Sequence, residues 1–118
     1  VINGIYVVIV MAPVEKTAYG CKSRQACVFA DGAVDRSPCG TGTSARMALL
    51  YANGALKVGE QFRAASIINT EFTGTVLKEV QAAGMTAIIP QIAGPAWITG
   101  FTQFVLDSED PLPEGFLL

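Results

Sequence analysis

The run from Pro38 to Gly54, "PCGTGTSARMALLYANG", constrains this chain more than any other stretch. Pro38 suits the first turn of a helix, and Ser37 or Asp35 can cap it. Ala45, Ala48, Leu49 and Ala52 recur at i, i+3, i+4, i+7 spacing, and Met47, Leu50 and Tyr51 make the opposite face apolar as well. Asn53–Gly54 supplies the stop, because glycine takes the left-handed cap conformation. A helix that is apolar on all sides is expected at the centre of a core. The material to surround it reads as strand. "GIYVVIVMAP" (Gly4–Pro13) is β-branched and aromatic and ends at a proline, whereas "EKTAYGCKSR" is polar and reads as a loop. "QACVFADGAV" is a strand entering a turn at Asp31–Gly32. "QFRAASIIN", "EFTGTVLKEVQ", "MTAIIPQI" and "AWITGFTQFVL" read as further strands separated by glycine-containing breaks, and "SIINTEFTG" followed by "VLKEV" suits a tightly linked pair. The tail "DSEDPLPEGFLL" carries turn residues and a final apolar hook. The expected fold is α+β: an antiparallel sheet wrapped around one central buried helix.

At 118 residues, 51% hydrophobic and 15% charged, the chain has the size and apolar content of one modest folded domain. A net charge of −2 leaves no basic footprint for nucleic acid. No apolar run reaches the roughly 18–20 residues of a membrane helix. Histidine is absent, which removes every mechanism that needs an imidazole base or ligand from this chain. Three cysteines, an odd count with no secretory leader in sight, point to free thiols in a reducing, cytoplasmic setting. A first residue of valine rather than methionine points to a processed product or a piece of something longer.

"DRSPCGTGTSAR" (Asp35–Arg46) is where chemistry is expected. A thiol in the first turn of a helix faces unpaired N–H groups that carry partial positive charge, and that field favours thiolate over thiol. The same N–H groups, those of Gly40 and Thr41 in particular, suit a bound carboxylate or other anion. Glycines at 40 and 42 let a ligand approach the backbone closely, and Thr41, Thr43 and Ser44 add hydroxyls. Cys39 is therefore read as a base or nucleophile beside an anion cradle. A phosphate-binding P-loop needs a lysine that this segment lacks. A phosphatase loop places arginine six residues after the cysteine, and Arg46 is seven after. A cysteine peptidase wants a histidine. Cys21 and Cys27 are six apart, not the C-x-x-C of redox or zinc sites. Cys27 is expected in the core and Cys21 in a loop as a bystander. With no histidine and with carboxylates scattered, no metal site is expected.

These residues resemble a known family. "DRSPCGTGTSARMALLYANGAL" resembles the signature around the second catalytic cysteine of the proline racemase family. "RQACVFADGAV", "VGEQFRAASIINTEFTG" and "AIIPQIAGPAWITGFTQFVLDSEDPLPEGFLL" continue the likeness, so essentially all of residues 1–118 resemble the C-terminal part of such an enzyme. The resemblance implies one lobe of a diaminopimelate-epimerase-like fold, in which each of two lobes wraps a sheet around a helix. It implies cofactor-independent inversion of an α-carbon, with one cysteine removing the proton and another returning one from the opposite face. By that resemblance Cys39 is the second cysteine, Asp35 helps hold the substrate ring nitrogen, and Gly40 and Thr41 offer backbone donors to the carboxylate. Phe29 is an apolar wall near the ring, or an ordinary core aromatic.

The family's first cysteine and its substrate-binding histidine belong to an N-terminal lobe that is not in this sequence. One wall of the site is then expected here, inactive alone, with residues 95–118 able to cross back to the other lobe and a homodimer as the assembly. Family members act on proline, on 4-hydroxyproline, or dehydrate 3-hydroxyproline. Threonine in place of this cysteine goes with the dehydratases, so Cys39 favours racemisation, and Phe29 tips the substrate towards proline. 4-Hydroxyproline 2-epimerisation, or a non-catalytic binding domain that keeps the fold, are the alternatives. Of the remaining residues, Arg36 and Arg46 are expected to pair with acids and brace the loop, Ser37 and Ser44 to cap and pack, and Trp97 to lie in the core. Asp107, Glu109 and Asp110 are expected to form a solvated turn.

Overall fold

A computed structural model describes residues 4–115. Six strands and one helix follow in the order β1 (Val7–Met11), β2 (Glu15–Thr17), β3 (Gly20–Phe29), α1 (Gly40–Ala52), β4 (Gln61–Ala65), β5 (Glu71–Ala82) and β6 (Met85–Ala93). The expected α+β class holds. The sheet runs β1-β3-β4-β5-β6, with β2 also paired to β3. All its pairings are antiparallel except one: β3 and β4 run parallel, Gly20 opposite Gln61 through Arg24 opposite Ala65. Parallel neighbours need a crossover, and α1 is that crossover. This connection lays the helix across one face of the sheet.

The inward face follows from the period of two along each strand. Cys21, Ser23, Gln25 and Cys27 are buried on β3, Phe62 and Ala64 on β4, Gly74 and Val76 on β5, and Ile88 on β6. Against them the helix presents Thr43, Arg46, Met47 and Leu50. Gly74 lets the helix come close: a Cβ there would lie 2.2 Å from Met47 Sδ. Pro90, in a run that otherwise reads as strand, is accommodated on edge strand β6 beside the irregularity between Val76 and Lys78.

Several expectations give way. The helix is buried on one face only, for Leu49 is 58% exposed and Ala45, Ala48 and Ala52 are open too. One sheet can cover one stripe of a helix, and the described residues supply one sheet. The polar run "EKTAYGCKSR" forms β2 and the start of β3 instead of a loop, so Cys21 lies fully buried in the core and is no loop bystander. "SIINTEFTG" and "VLKEV" do not pair with each other: Glu71–Ala82 is one strand, and the link to β4 is Ser66–Thr70, closed by Ser66 N to Thr70 O at 2.8 Å. "AWITGFTQFVL" is apolar enough for a strand but finds no partner edge and forms none. Trp97 is consequently 61% exposed rather than core, and Phe101 and Phe104 are 94% and 90% exposed. The final apolar hook, 116–118, lies outside the described residues. No helix among those described is long and apolar enough to cross a membrane.

Candidate active site

β3 ends in a turn at Asp31–Gly32, where Gly32 has φ +86° and Asp31 Oδ1 accepts the Ala33 N–H. The chain folds back along β3. Val34 bridges Val28, and the Asp35 N–H donates to the Cys27 carbonyl at 2.9 Å. From there a ladder of short-range hydrogen bonds climbs to the helix. Asp35 Oδ1 accepts the Ser37 N–H at 2.8 Å, and Ser37 Oγ accepts the Cys39 N–H at 3.1 Å. Neither residue caps the helix, contrary to expectation.

The cap is Cys39 itself, with Gly40 as the first helical residue. Its Sγ accepts the Gly42 N–H at 3.4 Å, occupying the place that a serine or aspartate oxygen usually takes. Cys39 has φ +66° and ψ 120°, a conformation that costs a non-glycine residue roughly 1–3 kcal/mol. The ladder below it and the sulfur cap above it hold it there. Gly42 is required by proximity, since a Cβ at that position would lie 2.6 Å from Ile9 Cδ1 and 3.4 Å from Cys39 Sγ. Gly40 and Thr41 are exposed, and among the described residues no acceptor meets their N–H groups. Cys39 and Asp35 are half-buried. Cys39 is therefore not sealed in the core, and its sulfur lies between the Gly42 N–H, the Asp35 carboxylate and the Cys27 sulfur.

Beneath the mouth of α1 lies a buried polar layer of Gln25, Thr43 and Arg46, of which Gln25 carries no motif in the sequence. Gln25, buried on β3, donates from Nε2 to the Pro38 carbonyl at 2.6 Å and to Thr43 Oγ1 at 2.9 Å. Its Oε1 accepts from Arg46 at 3.2 Å. Arg46 is also buried and pairs with no acid among the described residues, contrary to expectation. It donates to Ala12 O (2.7 Å), Ser23 Oγ (2.8 Å) and Arg24 O (3.3 Å), and its guanidinium stacks 5.2 Å from the Phe62 ring centroid. Burial lowers its pKa below the ordinary arginine value. This residue fixes the helix to β3 and to Ala12, the residue after β1, through their carbonyls. Arg36, by contrast, is exposed. Its carbonyl accepts from Thr70 Oγ1, and it lines an open cleft with Ser37, Phe72, Pro95 and Trp97. The one ion pair among the described residues is Lys22–Glu15, far along the chain from this loop. Ser44 packs as expected, its hydroxyl donating to the Gly40 carbonyl at 2.9 Å.

Cys27 is the second residue whose place was not foreseen. It is fully buried, as expected, yet its sulfur, the Cys39 sulfur and an Asp35 carboxylate oxygen all lie within 4.8 Å of one another. Burial, reinforced by the neighbouring Cys39 sulfur and the Asp35 carboxylate, pushes the Cys27 thiol up to about 11. Burial raises the Cys21 thiol as well. Phe29 lies two residues beyond Cys27 on the same sheet face, half-buried, with its ring edge-on to Tyr6 at 6.1 Å. The inward alternation Cys21, Ser23, Gln25, Cys27 was the available signal for both missed residues.

A family model described as proline racemase matches residues 1–117. A proline racemase from Clostridioides difficile is 55% identical over 91 residues, covering 77% of this chain and 27% of that protein. A trans-3-hydroxy-L-proline dehydratase from Bacillus cereus is 49% identical over 118 residues, 99% of this chain and 34% of the relative. Among solved structures, a hydroxyproline epimerase from Agrobacterium vitis with bound trans-4-hydroxy-L-proline superposes with a TM-score of 0.73 at 39% identity, covering 98% of this chain and 32% of that one. The chain thus spans about a third or less of the length of the proteins it matches.

Proposed function

Since the chain belongs to the proline racemase family, we propose that it builds one wall of an amino-acid racemase or epimerase site and that Cys39 exchanges the α-proton of proline. Its relatives include racemases, epimerases and dehydratases, so 4-hydroxyproline stands beside proline as substrate. The observation that carries the reading is the partly buried Cys39 at the mouth of α1, its sulfur accepting the Gly42 N–H beside N–H groups of Gly40 and Thr41 that meet no acceptor among the described residues.

The chemistry asks for this arrangement. An α-proton beside a carboxylate is a very weak acid, because its removal places a second negative charge next to the first. Fixed N–H donors and a helix N-terminus aimed at the carboxylate offset that charge without a cofactor. In this reading Gly40 and Thr41 hold the carboxylate, Asp35 takes the ring nitrogen, and Phe29 walls the ring. The sulfur needs a hydrogen-bond donor, which the Gly42 N–H supplies, and Cys39 is only partly buried.

Inversion needs a second base on the opposite face of the α-carbon. Cys27 does not suit that role, because its sulfur lies within 4.8 Å of the Cys39 sulfur and leaves no room for an α-carbon between the two. Cys21 is buried in the core. The second base is therefore proposed to come from an N-terminal lobe beyond this sequence. The exposed apolar tail, Trp97 through Leu112, supports a segment 95–118 that packs against that lobe. A homodimeric, cytoplasmic enzyme is the corresponding expectation for the whole protein.

The test combines the chain with the N-terminal lobe of a relative. Proline and 4-hydroxyproline should invert, Cys39→Ser should abolish inversion, and binding of planar pyrrole-2-carboxylate should survive the substitution. Turnover by the 118-residue chain alone, or inversion by the Cys39→Ser protein, refutes the assignment.

A further inference from the structure

We propose that Cys27, Asp35 and Cys39 form a three-ligand site for a thiophilic divalent cation of the zinc class. The three ligand atoms already lie within 4.8 Å of one another. In a tetrahedral site with metal–sulfur bonds of about 2.3 Å and a metal–oxygen bond of about 2.0 Å, the two sulfurs sit about 3.8 Å apart and each sulfur about 3.5 Å from the oxygen, so ligation asks each pair to close by about 1.3 Å at most.

Backbone contacts fix the three residues together independently of any ligand. The Asp35 N–H is bonded to the Cys27 carbonyl, which pins the return loop against β3. The Asp35 carboxylate reaches the Ser37 N–H, and Ser37 Oγ reaches the Cys39 N–H, so the second and third ligands share one brace. Cys27 approaches from the buried face of β3, while Cys39 and Asp35 are half-buried at the mouth. A cation can therefore enter from the mouth, and its fourth position opens on the same side. Two thiolates, a carboxylate and a divalent ion leave one net negative charge at the N-terminus of α1, the sign which that end of a helix favours. The Gly42 N–H on Cys39 Sγ then serves as the outer-shell hydrogen bond that orients a ligand. Each thiol gives up its proton to solvent on binding, and no redox step is involved. A metal held here ties up the Cys39 sulfur and so blocks proton exchange. That consequence alone rests on the function proposed above.

The experiment needs no turnover, so its failure is separate from failure of the racemase reading. The reduced full chain is titrated with Cd²⁺, whose thiolate complexes absorb in the ultraviolet, and Zn²⁺ is then added as competitor. The expected result is saturation at one Cd²⁺ per chain with the intensity of two thiolates, reversed by Zn²⁺. Cys27→Ala and Cys39→Ala should each halve the intensity and weaken binding about tenfold or more. Asp35→Asn should keep the two-thiolate band and weaken binding, and Cys21→Ala should change nothing. If an alanine variant fails to fold, the serine variant at the same position, which keeps the side chain's size, reads the same loss of intensity. A one-thiolate band, no band, a band that depends on Cys21, unchanged affinity in Asp35→Asn, or a mass loss showing a Cys27–Cys39 disulfide in place of metal uptake overturns the proposal.

Discussion

Replacing Gln25 with leucine should undo the layer that holds the mouth of α1 on the sheet. Leucine keeps most of the volume and removes every polar atom. Three hydrogen bonds disappear: Nε2 to the Pro38 carbonyl, Nε2 to Thr43 Oγ1, and Arg46 to Oε1. The first two join neutral groups, at about 1 kcal/mol each, and the third involves a guanidinium, at about 1.5–3 kcal/mol. All are buried, so water does not replace them. Arg46 retains its bonds to Ala12, Ser23 and Arg24, which limits the cost of the third. The sum is about 3–5 kcal/mol, a large part of the roughly 5–15 kcal/mol that separates a folded domain from its unfolded chain. Urea unfolding of Gln25→Leu against the unsubstituted chain reads it directly, as a lower midpoint at unchanged slope. A loss below about 1 kcal/mol would refute the reasoning, because such a value means that the buried partners had found others.

Two further outcomes follow from packing and titration. Gly74→Ala places a Cβ 2.2 Å from Met47 Sδ and 3.1 Å from Ile92 Cδ1, and should cost about 1–3 kcal/mol of stability by overpacking the helix–sheet contact; a neutral result in the same urea assay would show that Met47 swings aside freely. Stability should also fall in alkali. The folded-state pKa of Cys27, about 11, lies above its ordinary value of 9.0, so its contribution is fully present below pH 9 and is lost as pH rises through 11. Unfolding midpoints measured across that window should drop, and Cys27→Ala should flatten that part of the profile.

The helix stop at Asn53–Gly54 and β1, β5 and β6 were legible because each is a local signal: a left-handed glycine at φ +69° and runs of β-branched residues. The parallel pairing of β3 with β4 was not, since strand neighbours far apart in sequence leave no mark in either segment. The buried stripe of α1 could not be chosen either. Both faces are apolar, and only the position of the sheet decides that Met47 and Leu50 go in while Leu49 stays out. The helix start shifted by two residues because Cys39 adopts a positive φ that sequence rules assign to glycine, so its sulfur took over the capping that Ser37 and Asp35 were expected to provide. "AWITGFTQFVL" misled for a related reason: strand propensity reports a wish to be covered, not the presence of an edge to pair with. Within the site, the motif put Cys39 inside the first turn, and the structure makes it the cap, with Asp35 and the first-turn N–H groups of Gly40 and Thr41 beside it. Cys27 and Gln25 did not announce themselves, because what matters about them is which loop lies across the strand.

The sharpest measurement follows iodoacetamide labelling of the three thiols by mass spectrometry near neutral pH, in the folded chain and in the same chain unfolded by urea. A sulfur that takes the Gly42 N–H at an open helix mouth should label first and alone, and faster folded than unfolded, while Cys21 and Cys27 stay untouched until the chain unfolds. Labelling of Cys39 that is slower in the folded chain than in the unfolded one would mean that the fold shelters this sulfur instead of arming it, and the account would be contradicted at its centre.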